Sequence, residues 1–293
     1  MFSEMIYYND NMVFSQYGGL KMKLKFLLFL FLIIVISACS ETEENRGKEQ
    51  EPIKETVATV PEETTPVETK AEQTDIMDAP KVLPQYKINP KNFNIEPIGA
   101  VPDQVILLTI DDAPDQHALE MAKTLQELKA NAIFFVNGHF LQSPEQEAVL
   151  KEIHGMGFLI GNHTMTHQNL KTLSNEEQYK EIVELNDLVE KIIGERPKFF
   201  RAPHGVNTDY SRQVVADEKM ILMNWSYGYD FMKDYMSKEA LTDIMVNTEL
   251  LHKGANLLMH DRKWTNEALK DIVIGLENKG YQAVDPKLIE TIN

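Results

Sequence analysis

The strongest constraint on the fold is an alternation of short apolar runs and amphipathic stretches from Tyr86 to the C-terminus. Seven runs have the length and composition of buried strands: Val105–Ile110, Ala132–Val136, Phe158–Gly161, Lys198–Arg201, Ile221–Trp225, Asn256–Met259 and Tyr281–Val284. Helical patterns lie between most of them, including Gln116–Lys129, Ser174–Ile193, Lys238–His252 and Thr265–Lys279. Repeated strand–helix units predict a parallel α/β fold. Their number and spacing suit a small barrel better than an open sheet, although periodicity alone does not decide between the two.

The N-terminal region carries the features of a secretory signal. Two lysines precede an apolar run at residues 26–36, and small residues then lead to Cys39. This order is typical of a signal peptide, and the run is shorter than the roughly 18–20 residues that span a bilayer. We predict a signal peptide at residues 22–38, with Met22 as the true initiator and residues 1–21 upstream of the start.

Cys39 is the only cysteine in the sequence, which excludes an intrachain disulfide and a cysteine-rich metal site. The small residues before it resemble the lipobox of bacterial lipoproteins. That resemblance implies cleavage before Cys39 and a lipid on its sulfur. It also implies a protein held by this anchor at the extracellular face of the bacterial cell membrane. The alternative is an uncleaved N-terminal anchor with an incidental cysteine.

An acidic segment follows the cysteine. Residues 40–81 hold 12 acidic and 5 basic residues, four prolines and no aromatic residue. Such a composition buries too little apolar surface to offset the entropy of ordering. We therefore predict a lipidated cysteine and disordered linker at residues 39–85 and a globular domain at residues 86–293. The formal net charge of −16 argues against a nucleic-acid partner, and we expect a monomer.

Polar residues follow several of the predicted strands, where parallel α/β folds build their sites. Asp111 and Asp112 end the first strand, and one carboxylate can bind a metal ion while its neighbour accepts a proton. His163 and His167 are four residues apart and can reach one metal ion from a single turn. Two histidines with one carboxylate suit zinc, cobalt or non-haem iron. Read separately, Asp111 and Asp112 also fit a solvated Asp-Asp turn, and His163 and His167 also fit two unrelated surface histidines.

Three further groups follow later strands. Arg201 can hold a carboxylate in a fixed orientation, and Asp230 lies within an aromatic segment that forms either a pocket or core packing. His260 ends an apolar strand, where it can serve as a general acid. Read alone, Arg201 fits better as a structural arginine at a Pro-Gly turn, and the segment around Asp230 fits better as core packing. For His260 a structural role fits equally well.

In this order the five groups resemble the five motifs of the polysaccharide deacetylase family, also called the NodB-homology domain or carbohydrate esterase family 4. The groups occupy residues 109–114, 163–167, 201–205, 224–231 and 257–261, and the resemblance extends over residues 100–285. It implies a distorted (β/α)7 barrel that binds one divalent metal ion, with zinc the first choice and cobalt an alternative. It assigns Asp112, His163 and His167 as the metal ligands.

The resemblance also implies roles for the other polar residues. Asp111 would be the general base, with Arg201 orienting it. His260 would be the general acid, with Asp230 as its partner. Together these residues would hydrolyse an acetamide by way of an attacking water and a protonated leaving amine.

A pocket for the acetyl group is implied as well, with Leu258, Phe231 and His204 as its substrate-binding residues. Four positions depart from the family pattern: Ala113, Ala202, His204 and Phe231. At these positions the family usually has glycine, proline, an aromatic residue and tryptophan, respectively. None of the departures removes a ligand, base or acid, so the resemblance implies an active enzyme. The changes at His204 and Phe231 affect the expected substrate preference.

The implied substrate is an N-acetylated polysaccharide. A lipoprotein outside the membrane meets peptidoglycan first, so we expect N-acetylglucosamine or N-acetylmuramic acid units of peptidoglycan to be deacetylated. Chitin oligomers, exopolysaccharide and xylan are alternative polymers. A non-catalytic wall-binding lipoprotein is the alternative from another functional class, and a metalloprotease or iron oxygenase is a further one.

Overall fold

The computed structural model describes residues 83–292. Nine strands are present in this region: β1 (Tyr86–Ile88), β2 (Ile95–Pro97), β3 (Val105–Ala113), β4 (Ala132–Val136), β5 (Leu159–Asn162), β6 (Phe199–Phe200), β7 (Ile221–Leu222), β8 (Ala255–His260) and β9 (Gln282–Ala283). The α-helices here are α1 (Ala118–Leu128), α2 (Pro144–Gly155), α3 (Asn175–Ile193), α4 (Asp209–Asp217), α5 (Lys238–Asn247) and α6 (Lys263–Asn278). None of these helices is long and apolar enough to cross a membrane.

Strands β3 to β9 form one parallel sheet in the order β7-β6-β5-β4-β3-β8, with β9 also paired to β3. The chain that continues from β7 reaches the opposite end of the sheet, where Tyr227 forms a parallel bridge to Leu257 of β8. The Leu258 N–H donates to the Tyr227 carbonyl at 2.8 Å. The sheet is therefore curled and closed by this minimal link, which confirms the expected distorted (β/α)7 barrel.

Strand β3 pairs with β4, β8 and β9 and is buried along its whole length. Side chains on a strand alternate between its two faces. Ile106, Leu108 and Ile110 pack outward into the cluster that includes the helices, whereas Leu107 packs with Phe135 in the cluster on the concave face. By the same alternation, the side chains of Thr109 and Asp111 point into the barrel near the carboxyl end of β3.

All seven predicted strands are present; β4 matches its predicted range, β5 is shifted by one residue, and β3 and β8 are longer than predicted. The other three, β6, β7 and β9, form only two-residue ladders. Helix α3 starts where its capping pattern predicts, because Ser174 accepts from the Glu177 N–H and the Glu177 carboxylate accepts from the Ser174 N–H. Helix α5 is shorter than predicted, since Thr248 takes an extended backbone that ends it.

The sequence pattern did not predict the antiparallel β1–β2 hairpin. The hairpin packs at the amino ends of the barrel strands, where the Ile95 N–H donates to the Gly254 carbonyl at 2.7 Å. Gly254 has a φ of 77°, and a side chain there would collide with the Ile95 carbonyl. The hairpin covers the end of the barrel opposite the site described below.

The predicted start at Met22, the signal peptide and the acidic linker up to residue 82 lie outside the described residues, and so does the lipidation site Cys39. These remain predictions. The first strand in the described part of the chain, β1, starts at Tyr86, and the domain boundary at residue 86 stays a prediction.

Candidate active site

The three predicted metal ligands lie together at the carboxyl end of the barrel. One ligand atom from each of Asp112, His163 and His167 falls within 4.8 Å of the others. The Asp112 Oδ1 atom is 3.4 Å from His167 Nε2 and 3.9 Å from His163 Nε2. Two imidazoles and one carboxylate leave coordination positions open, as in catalytic sites.

A register shift in β3 explains how two adjacent carboxylates face one site. Neighbouring residues in a regular strand point to opposite faces. The β3–β4 register shifts between Ile110 and Ala113, and Asp112 has a φ of 60°. Bulges of this kind redirect side chains beside active sites. As a result His163 Nε2 is 3.5 Å from Asp111 Oδ2 as well as 3.9 Å from Asp112 Oδ1.

His163 is prepared to act as a ligand through Nε2. Its Nδ1 lies 2.7 Å from the Arg201 carbonyl, so the Nδ1–H donates to that oxygen and the Nε2 lone pair faces Asp112. Burial lowers the pKa of His163 to about 3, and the imidazole is therefore neutral at physiological pH. Burial likewise lowers the pKa of His167.

The loop that carries both histidines is held by helix α3 and β5. Asn162 accepts a hydrogen bond from the Thr164 N–H at 2.9 Å, and Thr164 has a left-handed φ of 71°. The Glu181 carboxylate accepts from the Thr166 N–H at 2.8 Å and also from the Thr166 hydroxyl. Sequence analysis missed Glu181 and Asn162, because nothing in a helical or strand pattern distinguishes a residue that clamps a distant loop.

Asp111 and Arg201 form a buried ion pair inside the barrel. Arg201 is fully buried, and its Nη1 donates to Asp111 Oδ1 at 2.6 Å and to the Thr109 hydroxyl at 2.8 Å. The guanidinium also packs on the Phe135 ring, 4.4 Å from its centroid. Burial raises the pKa of Asp111, and the Arg201 charge opposes that rise. The Asp111 carboxylate is therefore fixed in orientation, and its Oδ2 atom faces His163.

Asp230 and His260 form a second pair, in which His260 ends the neighbouring strand β8 and is partly buried, while Asp230 follows β7 and is fully buried. His260 is the register partner of Asp111 across the β3–β8 ladder. Asp230 Oδ1 lies 2.7 Å from His260 Nδ1, while its Oδ2 accepts from the His260 N–H at 2.6 Å and from the Thr265 hydroxyl at 2.8 Å. Burial favours neutral His260, but the Asp230 carboxylate, together with the charges of Asp111 and Asp112, outweighs it and raises the pKa of His260 to about 9.

The predicted pocket residues differ in exposure. Leu258 is buried and lies two residues before His260, on the same face of β8. Phe231 is 45% exposed, and its ring centroid is 5.9 Å from that of His260. His204 is exposed, and its ring centroid is 5.0 Å from that of His167. Phe231 and His204 therefore flank the site beside the predicted acid and beside a predicted ligand.

Two residues just after His260 also serve the site: the sequence pattern included Asp261 in the fifth group without giving it a role, and it did not single out Arg262. Asp261 is buried and accepts three backbone N–H bonds, from Asp115 and His117 at 2.7 Å and from Ala118 at 3.0 Å. Arg262 donates from Nη2 to the predicted ligand Asp112 at 2.7 Å. The only signal for either residue is its position, since Asp261 ends the fifth group and Arg262 directly follows it.

Comparison with known proteins agrees with this geometry. A family profile described as polysaccharide deacetylase matches residues 98–222. A peptidoglycan-N-acetylglucosamine deacetylase of Bacillus cereus is 30% identical over 207 residues, which are 65% of this chain and 92% of that protein. The peptidoglycan-N-acetylmuramic acid deacetylase PdaC of Bacillus subtilis is 31% identical over 207 residues, which are 69% of this chain but 41% of PdaC.

Solved structures give the same result. The PdaC structure aligns with a TM-score of 0.56 at 31% identity and covers 62% of this chain and 87% of that chain. BA3943 of Bacillus anthracis, described as a pseudoenzyme of carbohydrate esterase family 4, aligns with a TM-score of 0.56 at 27% identity over 62% of this chain and 63% of its own. Similarity therefore extends to both an enzyme and an inactive relative.

Proposed function

This chain belongs to the polysaccharide deacetylase family, and on that basis we propose that it is a metal-dependent hydrolase that removes N-acetyl groups from peptidoglycan. One observation supports this most strongly. Asp111, fixed by Arg201, and His260, fixed by Asp230, are register partners on adjacent strands beside the Asp112 site. A base and an acid held side by side in this way suit hydrolysis of an amide.

The donor set fits a divalent metal ion. Asp112, His163 and His167 offer two imidazole nitrogens and one carboxylate oxygen, and His163 is held neutral with Nε2 free. This set suits zinc first and cobalt or another divalent ion second. When bound, such an ion supplies Lewis-acid polarisation of the acetamide carbonyl and a lowered pKa of water.

The chain's own residues then perform the proton transfers. Asp111 accepts a proton from the attacking water, and the Arg201 contact orients the carboxylate and favours its ionised form against burial. His260 donates a proton to the leaving sugar amine, which is a poor leaving group without it. The buried Asp230 carboxylate stabilises the charged imidazole before that donation. Phe231 and His204 border the space where the acetylated sugar would lie.

Peptidoglycan is the proposed polymer because PdaC and the Bacillus cereus relative are both named as peptidoglycan deacetylases. Those two proteins are named for N-acetylmuramic acid and N-acetylglucosamine respectively, so both sugars are candidate substrates.

We also propose that a lipid on Cys39 anchors the chain outside the bacterial membrane. Labelling of the expressed protein with a radioactive fatty acid, lost in Cys39→Ala, tests the anchor. Equal labelling of both proteins would contradict it.

The function is tested by acetate release from peptidoglycan and from chitin oligomers. We expect release that stops when the metal is chelated and returns with zinc or cobalt. Asp111→Asn keeps the side-chain shape but removes the base, and we expect it to lower kcat by about 10²–10⁴-fold. Asp243→Asn, an exposed residue in α5, is the matched control and keeps full activity. No release from either polymer by the metal-loaded protein would contradict the proposal and favour a wall-binding role.

The pH dependence follows from the Asp230–His260 pair. The proton donor must be protonated, and the pKa of His260 is raised to about 9, so activity should fall as pH rises through about 9. Asp230→Asn removes the negative charge and should move this alkaline limb to lower pH, toward the ordinary histidine pKa of about 6.5. Measuring kcat/KM against pH for both proteins checks this. An alkaline limb at the same pH in both would contradict the assigned pair.

A further inference from the structure

Arg262 makes a contact that the proposed chemistry does not use. It follows the fifth motif and precedes helix α6, and its side chain is 36% exposed. Its Nη2 donates to Asp112 Oδ2 at 2.7 Å, while Nη1 donates to the Asp261 carbonyl at 3.2 Å and lies 3.7 Å from Asp115 Oδ2. Arg262 therefore ties the end of β3 to the end of β8.

The contact divides the two oxygens of Asp112 between different partners. Oδ2 is held by the Arg262 guanidinium, whereas Oδ1 faces His163 and His167 at 3.9 and 3.4 Å. A charge-assisted hydrogen bond of this length is strong. Only one oxygen of the carboxylate is left directed at the metal site.

We infer that Arg262 is a positioning residue that keeps Asp112 a one-oxygen metal ligand and thereby keeps coordination positions open for substrate and water. This inference rests on the proposed function. Two neighbouring groups hold the guanidinium in place, namely the backbone carbonyl of Asp261 and the carboxylate of Asp115. Hydrogen bonds from outside the ligand shell commonly fix ligand orientation in this manner.

The physical consequence of losing Arg262 has a definite sign. Without it, Asp112 Oδ2 is free to turn toward the metal ion, and a positive charge beside the site is removed. Both changes favour tighter binding of a cation. Both also reduce turnover, because a second carboxylate oxygen occupies a position that substrate needs and weakens the ion as a Lewis acid.

The test compares the full-length protein with Arg262→Met, an unbranched and uncharged replacement of similar length. We expect affinity for Zn²⁺, measured by competition with a chromophoric chelator, to rise by about 10-fold because a nearby positive charge is removed, while kcat for acetate release falls by at least that factor. Loaded with Co²⁺, the variant should show weaker visible absorption, because these bands weaken as the coordination number rises. Arg262→Lys restores the charge and should lie between the two proteins in all three measurements.

Lys263→Met removes a cation from the next residue, which is highly exposed, and should match the unsubstituted protein throughout. Affinity and kcat that fall together in Arg262→Met would indicate simple structural damage and overturn the inference. Unchanged affinity and an unchanged Co²⁺ spectrum would overturn it as well. Absence of acetate release by the unsubstituted protein would contradict the proposed function instead, whereas the affinity and Co²⁺ measurements would still decide the role of Arg262.

Discussion

Replacing His260 with alanine should lower kcat for deacetylation by about 10²–10⁴-fold, the usual contribution of a general acid. KM should change far less. The proton is delivered as the bond to the leaving amine breaks, so the interaction exists mainly in the transition state. The structure prepares the residue for this role, because the Asp230 carboxylate lies 2.7 Å from Nδ1 and leaves Nε2 as the atom that donates.

Steady-state acetate release on a soluble N-acetylglucosamine oligomer checks this expectation. His252→Ala is the matched control, because His252 is exposed and lies before β8, at the opposite end of that strand from His260. The control should keep its activity. If His260→Ala raised KM and left kcat unchanged, His260 would be a binding residue and the proposed acid would have to be sought elsewhere.

Replacing Arg201 with methionine should reduce the free energy of unfolding by about 3–5 kcal/mol, because it leaves a buried carboxylate without its partner. Arg201 is fully buried, and its Nη1 contacts both Asp111 and Thr109. Its Nη2 donates to the Asn224 carbonyl at 2.9 Å. Urea unfolding followed by circular dichroism measures the loss, and deacetylation should disappear in the same variant.

Two further variants test whether the loss of stability depends on how deeply an ion pair is buried or on how many ion pairs are removed. Adding Asp111→Asn to Arg201→Met removes the stranded charge, so the double variant should be more stable than Arg201→Met alone. Arg196 contacts three carboxylates but is 28% exposed, and Arg196→Met should cost only about 1 kcal/mol. A larger loss for Arg196→Met than for Arg201→Met would contradict this reasoning about burial.

The strand–helix order and the five polar groups could be predicted from the sequence, because both are local patterns. Apolar runs identify β3, β4 and β8, and a capping pattern identifies the start of α3 at Ser174. Parallel strands bring their carboxyl ends to one edge, so residues as distant as Asp111 and His260 could be expected at one site. The family resemblance supplied their roles, which no periodicity supplies.

The residues that support the site could not be predicted in this way. Glu181 lies within helix α3 and Thr265 within α6, and each appears in the sequence as an ordinary helical residue. Their function depends on which loop packs against them in three dimensions, namely Thr166 for Glu181 and the Asp230 carboxylate for Thr265. The β1–β2 hairpin was missed because its strands are three residues each.

The sequence by itself thus determined the order of strands and helices, the identity of the five groups and the side of the barrel on which they meet. Only the tertiary structure decided how the groups are oriented. The register shift at Asp112 turns two consecutive carboxylates toward one site, and Arg262 holds one oxygen of Asp112 away from the histidines. Periodicity depends on neighbours along the chain, whereas orientation depends on contacts between residues that are distant along it.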